Sequence, residues 1–104
     1  MSQQEIHVGD IGTKFEATVK DDGVVVDISA ASTKQIIFKK PDGTVVPRNA
    51  SLSGTGTDGK MYWTTTQATD LDQAGLWQRQ GVVALSGGSW HSDVQSFTVY
   101  ENLG

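Results

Sequence analysis

The chain has no cysteine, only two prolines and two histidines, and no apolar run of membrane-spanning length. Without cysteine there is no disulfide, no thiol nucleophile and no thiolate-bound metal. His7 and His91 are the only imidazoles. Acyl-transfer catalysis needs a nucleophile, a base and a group to orient that base, and neither histidine stands in such a motif. The reading is therefore of a protein that is not an enzyme. The longest apolar stretches, such as Val24-Val25-Val26 and Ile36-Ile37-Phe38, fall far short of the ~20 residues a bilayer requires. Cations are scarce as well: eight Lys and Arg against twelve Asp and Glu give a net charge of -4. Nucleic-acid binding depends on clustered cations that neutralise phosphates, so nucleic acid is not an expected partner. The one local group, Lys34, Lys39 and Lys40, reads as a solvated strand face. The opening Met-Ser-Gln-Gln-Glu lacks the basic and then apolar pattern of a secretion signal, which predicts synthesis in the cytoplasm.

What is abundant is glycine, twelve residues of it, punctuating short runs of Val, Ile, Thr and aromatic residues. That alternation of β-formers with turn-formers predicts an all-β protein, and a length of 104 residues suits one domain, 1–104, with a single core. Glu5 to Asp10 reads as a first extended segment with Ile6 and Val8 on one face. Thr13 to Lys20 alternates with Phe15, Ala17 and Val19 inward. Asp21-Asp22-Gly23 is hairpin-turn chemistry, with Val24 to Ile28 returning. Thr33 to Lys40 places Ile36 and Phe38 on one face and Ile37 on the other, and Pro41-Asp42-Gly43 turns the chain back. Pro47 cannot donate to a ladder, so Thr44 to Arg48 belongs at a sheet edge. Ser53 to Gly59 reads as a flexible connection. Lys60 to Thr65 follows as a strand, with Met61 and Trp63 opposite Tyr62. Ala68 to Gly75 reads as one helical turn, capped by Thr69 or Asp70 and ended by Gly75. Leu76 to Leu85 is the longest strand, Ser86-Gly87-Gly88-Ser89 a hairpin turn, and Trp90 to Tyr100 the returning strand, with Phe97 and Val99 on one face. Seven or eight strands at this spacing predict an antiparallel β-sandwich without a disulfide.

Sites of chemistry are few. Asp70 and Asp72, with Asp21 and Asp22, supply calcium-type oxygens, but their spacing does not match a calcium loop, and turn formation and capping account for them. No carboxylate pair stands out for glycoside hydrolysis. No cofactor or metal is expected. Asn49-Ala50-Ser51 matches a glycosylation acceptor only formally. Trp63 and Trp77 read as core. Trp90, between Ser89 and His91, reads either as a shield over the end of its hairpin or as an exposed aromatic anchor for a protein or a sugar. Trp90, His91, Lys39 and Lys40 form the candidate contact surface. Asp70 to Trp77 pairs a capped turn with two small residues and an aromatic entering the next strand, and it resembles the corner before the penultimate strand of immunoglobulin-like domains. There, Trp77 stands in the place of the corner tyrosine and offers an N–H in place of its O–H.

Val8 to Thr13, Lys34 to Gly43, Asp70 to Trp77 and Trp90 to Asp93, taken together, resemble the small immunoglobulin-like structural proteins of tailed bacteriophages. The nearest group is the N-terminal domain of phage upper baseplate proteins. The resemblance implies an immunoglobulin-like β-sandwich and a non-enzymatic structural or accessory role in a virion, at the tail, baseplate, neck or head surface. It implies protein contacts through edge strands and loops, with other virion proteins or with further copies of the chain as partners. The implied place of work is the virion, after synthesis in the host cytoplasm. A carbohydrate-binding or host-adhesion module using the aromatics near Trp90 is the alternative. No membrane partner is expected.

Overall fold

The computed structural model describes residues 6–102. The chain is almost entirely β, as the sequence predicts, and its strands form two main sheets around one continuous core, with Lys20–Asp21 and Val24–Val25 pairing as a separate two-stranded ribbon. In chain order the strands are β1 (Ile6–His7), β2 (Lys14–Thr18), β3 (Lys20–Asp21), β4 (Val24–Val25), β5 (Thr33–Lys39), β6 (Val45–Asn49), β7 (Ser51–Leu52), β8 (Lys60–Thr64), β9 (Gly75–Leu85), β10 (Gly88–His91) and β11 (Gln95–Tyr100). A 3-10 turn, Ala68–Leu71, precedes β9. The large sheet has the order β1-β11-β9-β5-β6, with β10 also on β9, and the small sheet has the order β2-β8-β7. The β1 to β11 pairing is parallel and all the others are antiparallel.

Period-two alternation builds the core. Phe15, Ala17 and Met61 from the small sheet meet Ile36, Phe38, Trp77, Val83 and Val99 from the large one. Phe15 packs edge-on against Phe38 at 5.1 Å and lies 4.8 Å from Phe97, closing the aromatic centre between the layers. Gly81 marks the closest approach of the two sheets. A Cβ there would stand 2.6 Å from Met61 Cε and 2.9 Å from Ala17 Cβ, so only glycine lets β9 lie this close to β2 and β8.

Several sequence expectations are corrected. The first segment is shorter, with strand only at Ile6–His7 and a turn from Val8; Glu5 lies outside the described residues. β2 ends at Thr18, although Val19 continues its register with one more bond, its N–H donating to Gly59 O at 2.8 Å. The expected return from Val24 to Ile28 pairs as a strand only at Val24–Val25, because the Asp22-Gly23 turn, with φ of 52° and 78°, closes a short hairpin that pairs with neither sheet. Val24 is accordingly 69% exposed. Asp70 does not cap the helical turn from its first position. It sits three residues after Gln67 and accepts the N–H groups of Thr66 and Gln67 at 2.9 and 3.0 Å on one carboxylate oxygen.

The expected single strand from Trp90 to Tyr100 breaks in two. His91 stands opposite Val82, but Gln95 stands opposite Arg79, so four steps on one strand match three on the other. The extra residue is a β-bulge at Ser92 to Val94. Ser92 holds it: its N–H donates to Gly81 O at 2.8 Å and its Oγ accepts from Gly81 N at 2.7 Å. The physical reason for the bulge is parity. Trp90 and Phe97 are an odd number of residues apart, and a regular strand cannot turn both toward one core.

Candidate interaction surfaces

The outer face of the large sheet is set by the residues that alternate away from the core. It carries Ile37 and Lys39 of β5, Val45 of β6, Leu76, Gln78 and Gln80 of β9, and Tyr100 of β11. Of the chain's twelve carboxylates only Glu16 and Asp21 lie in described strands, and neither belongs to the large sheet. On an acidic protein, this face has no carboxylate among its strand residues. Its large apolar side chains are open: Leu76 is 59% exposed, Val45 58%, and Val94, brought alongside by the bulge, 56%. Ile37, Lys39, Val45, Gln78, Gln80 and Val94 line a shallow hollow of about 180 Å³. Aliphatic and amide groups with little charge are the composition found at the centre of protein interfaces. A comparison with protein-family models and with curated proteins gave no match. Function must therefore be argued from these surfaces.

The structure separates the four residues expected to form one contact surface. Lys39 lies on the outer face, opposite Gln78. His91 shares that face, but opposite Val82, about 13 Å further along β9 at ~3.3 Å per residue. Trp90 is not exposed. It pairs with Val83, which is wholly buried, and packs half-buried against the core while its ring covers Gly88. Its role is the shielding of the hairpin end. Lys40 leaves the strand and reaches Asp72 at 2.9 Å, with its ammonium 5.9 Å from the Trp77 ring centre. The lysine group therefore does not form one solvated face, since Lys34 turns inward beside Val83 and bonds Ala31 O while Lys39 points outward.

The sheets meet along two seams of different character. At the first, Arg48 from β6 lies 5.2 Å from the Trp63 ring centre and pairs at 3.1 Å with Asp70, which is buried. Trp77, 1% exposed, donates its indole N–H to Gln73 O at 2.9 Å. Gln73 in turn donates to Asp42 at 2.8 Å, tying this corner to the β5–β6 turn. The Asp42 carboxyl is held down at about 2, first by the backbone N–H of Thr44 and then by Gln73. At the second seam, Arg79 of β9 points inward over Phe15 at 5.7 Å and donates to the backbone carbonyl of Glu16. Burial lowers its pKa, and the charge of Glu16 offsets this only in part. A groove of about 450 Å³ opens here, between Glu16, Ala17 and Thr18 of β2 on one side and Arg79, Asp93 and Gln95 on the other. Neither surface was visible in the sequence reading, which found turns and core but could not say which polar residues share a rim. The aspartates weighed as calcium ligands are divided: Asp70 and Asp72 serve arginine and lysine, while Asp21 and Asp22 form the small hairpin. No three His, Asp or Glu side chains gather as a metal site among the described residues.

Proposed function

We propose that this protein is a non-enzymatic structural or accessory protein of a bacteriophage virion, an immunoglobulin-like β-sandwich that docks on a repeated particle surface through protein contacts. The observation that carries the docking is the outer face of the large sheet, where Leu76, Val45 and Val94 stand exposed and the strand residues include no carboxylate. Exposed apolar groups collected on one face mark a place of contact, and on a symmetric particle weak contacts are multiplied by avidity. Support for the immunoglobulin-like architecture comes from the strand order, with six strands in one layer and β2-β8-β7 in the other, and from the Trp77 N–H bonded four residues back to Gln73. That bond plays the part of the tyrosine corner in such domains. The virion as place of work, and virion proteins or further copies of the chain as partners, are proposed on the strength of the resemblance of the four motifs. Trp90, turned inward, offers no flat exposed ring for a sugar to stack on, so the adhesion alternative loses its anchor.

The test is to mix the purified protein with phage particles that lack it and to locate it by cryo-electron microscopy. Regular extra density at symmetry-related positions is expected, and Leu76→Asp, which places a charge on the outer face, should weaken docking by about tenfold or more. Particles that stay bare at saturating protein overturn the proposal.

A further inference from the structure

We propose that the free edge of β2 accepts an extended segment of a partner protein as an added strand, with an acidic side chain of that segment directed into the groove at Arg79. This deepens the proposed function and rests on the reading of the protein as one that works by protein contacts.

Thr65 donates to Thr13 O and Val19 donates to Gly59 O, at the two ends of the β2 and β8 pairing. By antiparallel alternation Phe15 and Ala17 also bond across to β8, and the N–H and C=O groups of Lys14, Glu16 and Thr18 point the other way. There, among the described residues, β2 has no strand neighbour. The other edges are blunted. β6 carries Pro47, β1 and β7 are two residues long, and the β3–β4 hairpin lies beside β10. Short strands, proline, charged side chains and covering segments discourage strand addition; β2 carries Lys14 and Glu16 but no proline along its five residues, and no described strand covers its outer edge.

Arg79 is what fills the place at present. Its guanidinium donates to the Glu16 carbonyl, which is the group an incoming strand would bond. It holds this position half-buried, under the charge of Glu16 but with no carboxylate in ion-pair contact among the described residues, unlike Arg48 with Asp70. A strand laid along β2 would place its alternate side chains opposite Phe15 and Ala17, over the groove where Arg79, Lys20 and Lys60 stand among Glu16, Asp58 and Asp93. A carboxylate at that position supplies the partner Arg79 lacks, while the peptide backbone takes over the Glu16 carbonyl. Main-chain bonds then give affinity and the acidic side chain gives selectivity, as in other cases of strand addition.

The probe is an acetylated peptide of alternating valine and threonine, about eight residues long, with aspartate in place of one central valine. Two controls carry valine or lysine there. Titrated into the full chain and followed by amide NMR, the aspartate peptide should shift the Lys14, Glu16 and Thr18 resonances and slow their hydrogen exchange by about tenfold. The lysine peptide should bind about tenfold more weakly. Arg79→Gln should weaken the aspartate peptide and leave the valine peptide unchanged. Glu16→Pro removes an N–H that β8 does not use, so it should abolish binding of all three peptides while Met61 and Trp63 amides stay protected. If that variant does not fold, the Arg79→Gln comparison decides. Shifts confined to the outer sheet face, no response at millimolar peptide, or equal affinity for the lysine peptide would each overturn strand addition. Particle docking that persists while the peptide fails leaves the virion proposal standing. Peptide binding without particle docking does the reverse.

Discussion

Each seam between the two sheets has an arginine lying over an aromatic ring, and the two arginines have opposite consequences. Arg48 reaches a buried carboxylate, Asp70, which also holds the backbone of the 3-10 turn, so that seam is shut. Arg79 bonds a backbone carbonyl and, among the described residues, ion-pairs with no carboxylate, and its seam stays open as a polar groove beside a free strand edge. The comparison teaches that an inward arginine closes a sandwich only when a carboxylate comes with it. Alone it keeps water and hydrogen-bonding capacity at the boundary.

The largest expected effect breaks the closed seam. Asp70→Ala removes the partner of Arg48 and the acceptor of two N–H groups at once, and should cost about 3 kcal/mol in chemical denaturation, whereas Arg79→Gln at the open seam should cost less than about 1 kcal/mol. Similar costs for the two would erase the distinction. A smaller effect sharpens it: Trp77→Phe keeps a ring in the core but leaves Gln73 O without its donor, for an expected loss of about 2 kcal/mol. The smallest concerns pH. Asp42 is held at about 2, below its ordinary 3.8, so its bonds to Thr44 and Gln73 add stability that is present above the unfolded value and is lost as pH falls through the folded one. Thermal melts between pH 5 and pH 2 should show part of the acid loss in the native chain, and Asp42→Asn should flatten that part of the curve.

Much of the architecture was readable because alternation is a strong signal. Phe15, Ala17 and Val19 are buried as expected, Pro47 is on an edge strand, and Ile36 and Phe38 face the core. The Asp22-Gly23 and Asp42-Gly43 turns are where their chemistry places them. The bulge was readable too, since the parity of Trp90 against Phe97 and Val99 demands it, but only if all three are assigned to the core together. The surfaces were much less legible. Lys34, Lys39 and Lys40 are neighbours in sequence, yet pleating and a strand end send them to three different places. Val45 and Val94 come together only through strand order, and the groove at Arg79 exists only because β2, distant in sequence, lies across from β9. Local pattern records which way a side chain points, and it does not record which neighbours the pairing brings.

The bulge at Ser92 acts as a phase shifter in the chain. One surplus residue lets Trp90 on one side of it and Phe97 and Val99 on the other all face inward. The same offset delivers Asp93 to the groove and Val94 to the open apolar hollow. Losing a single residue there would invert the last strand, exposing its aromatic content and emptying both surfaces together, so the spacing at this point governs where the molecule can be touched as much as how it is filled.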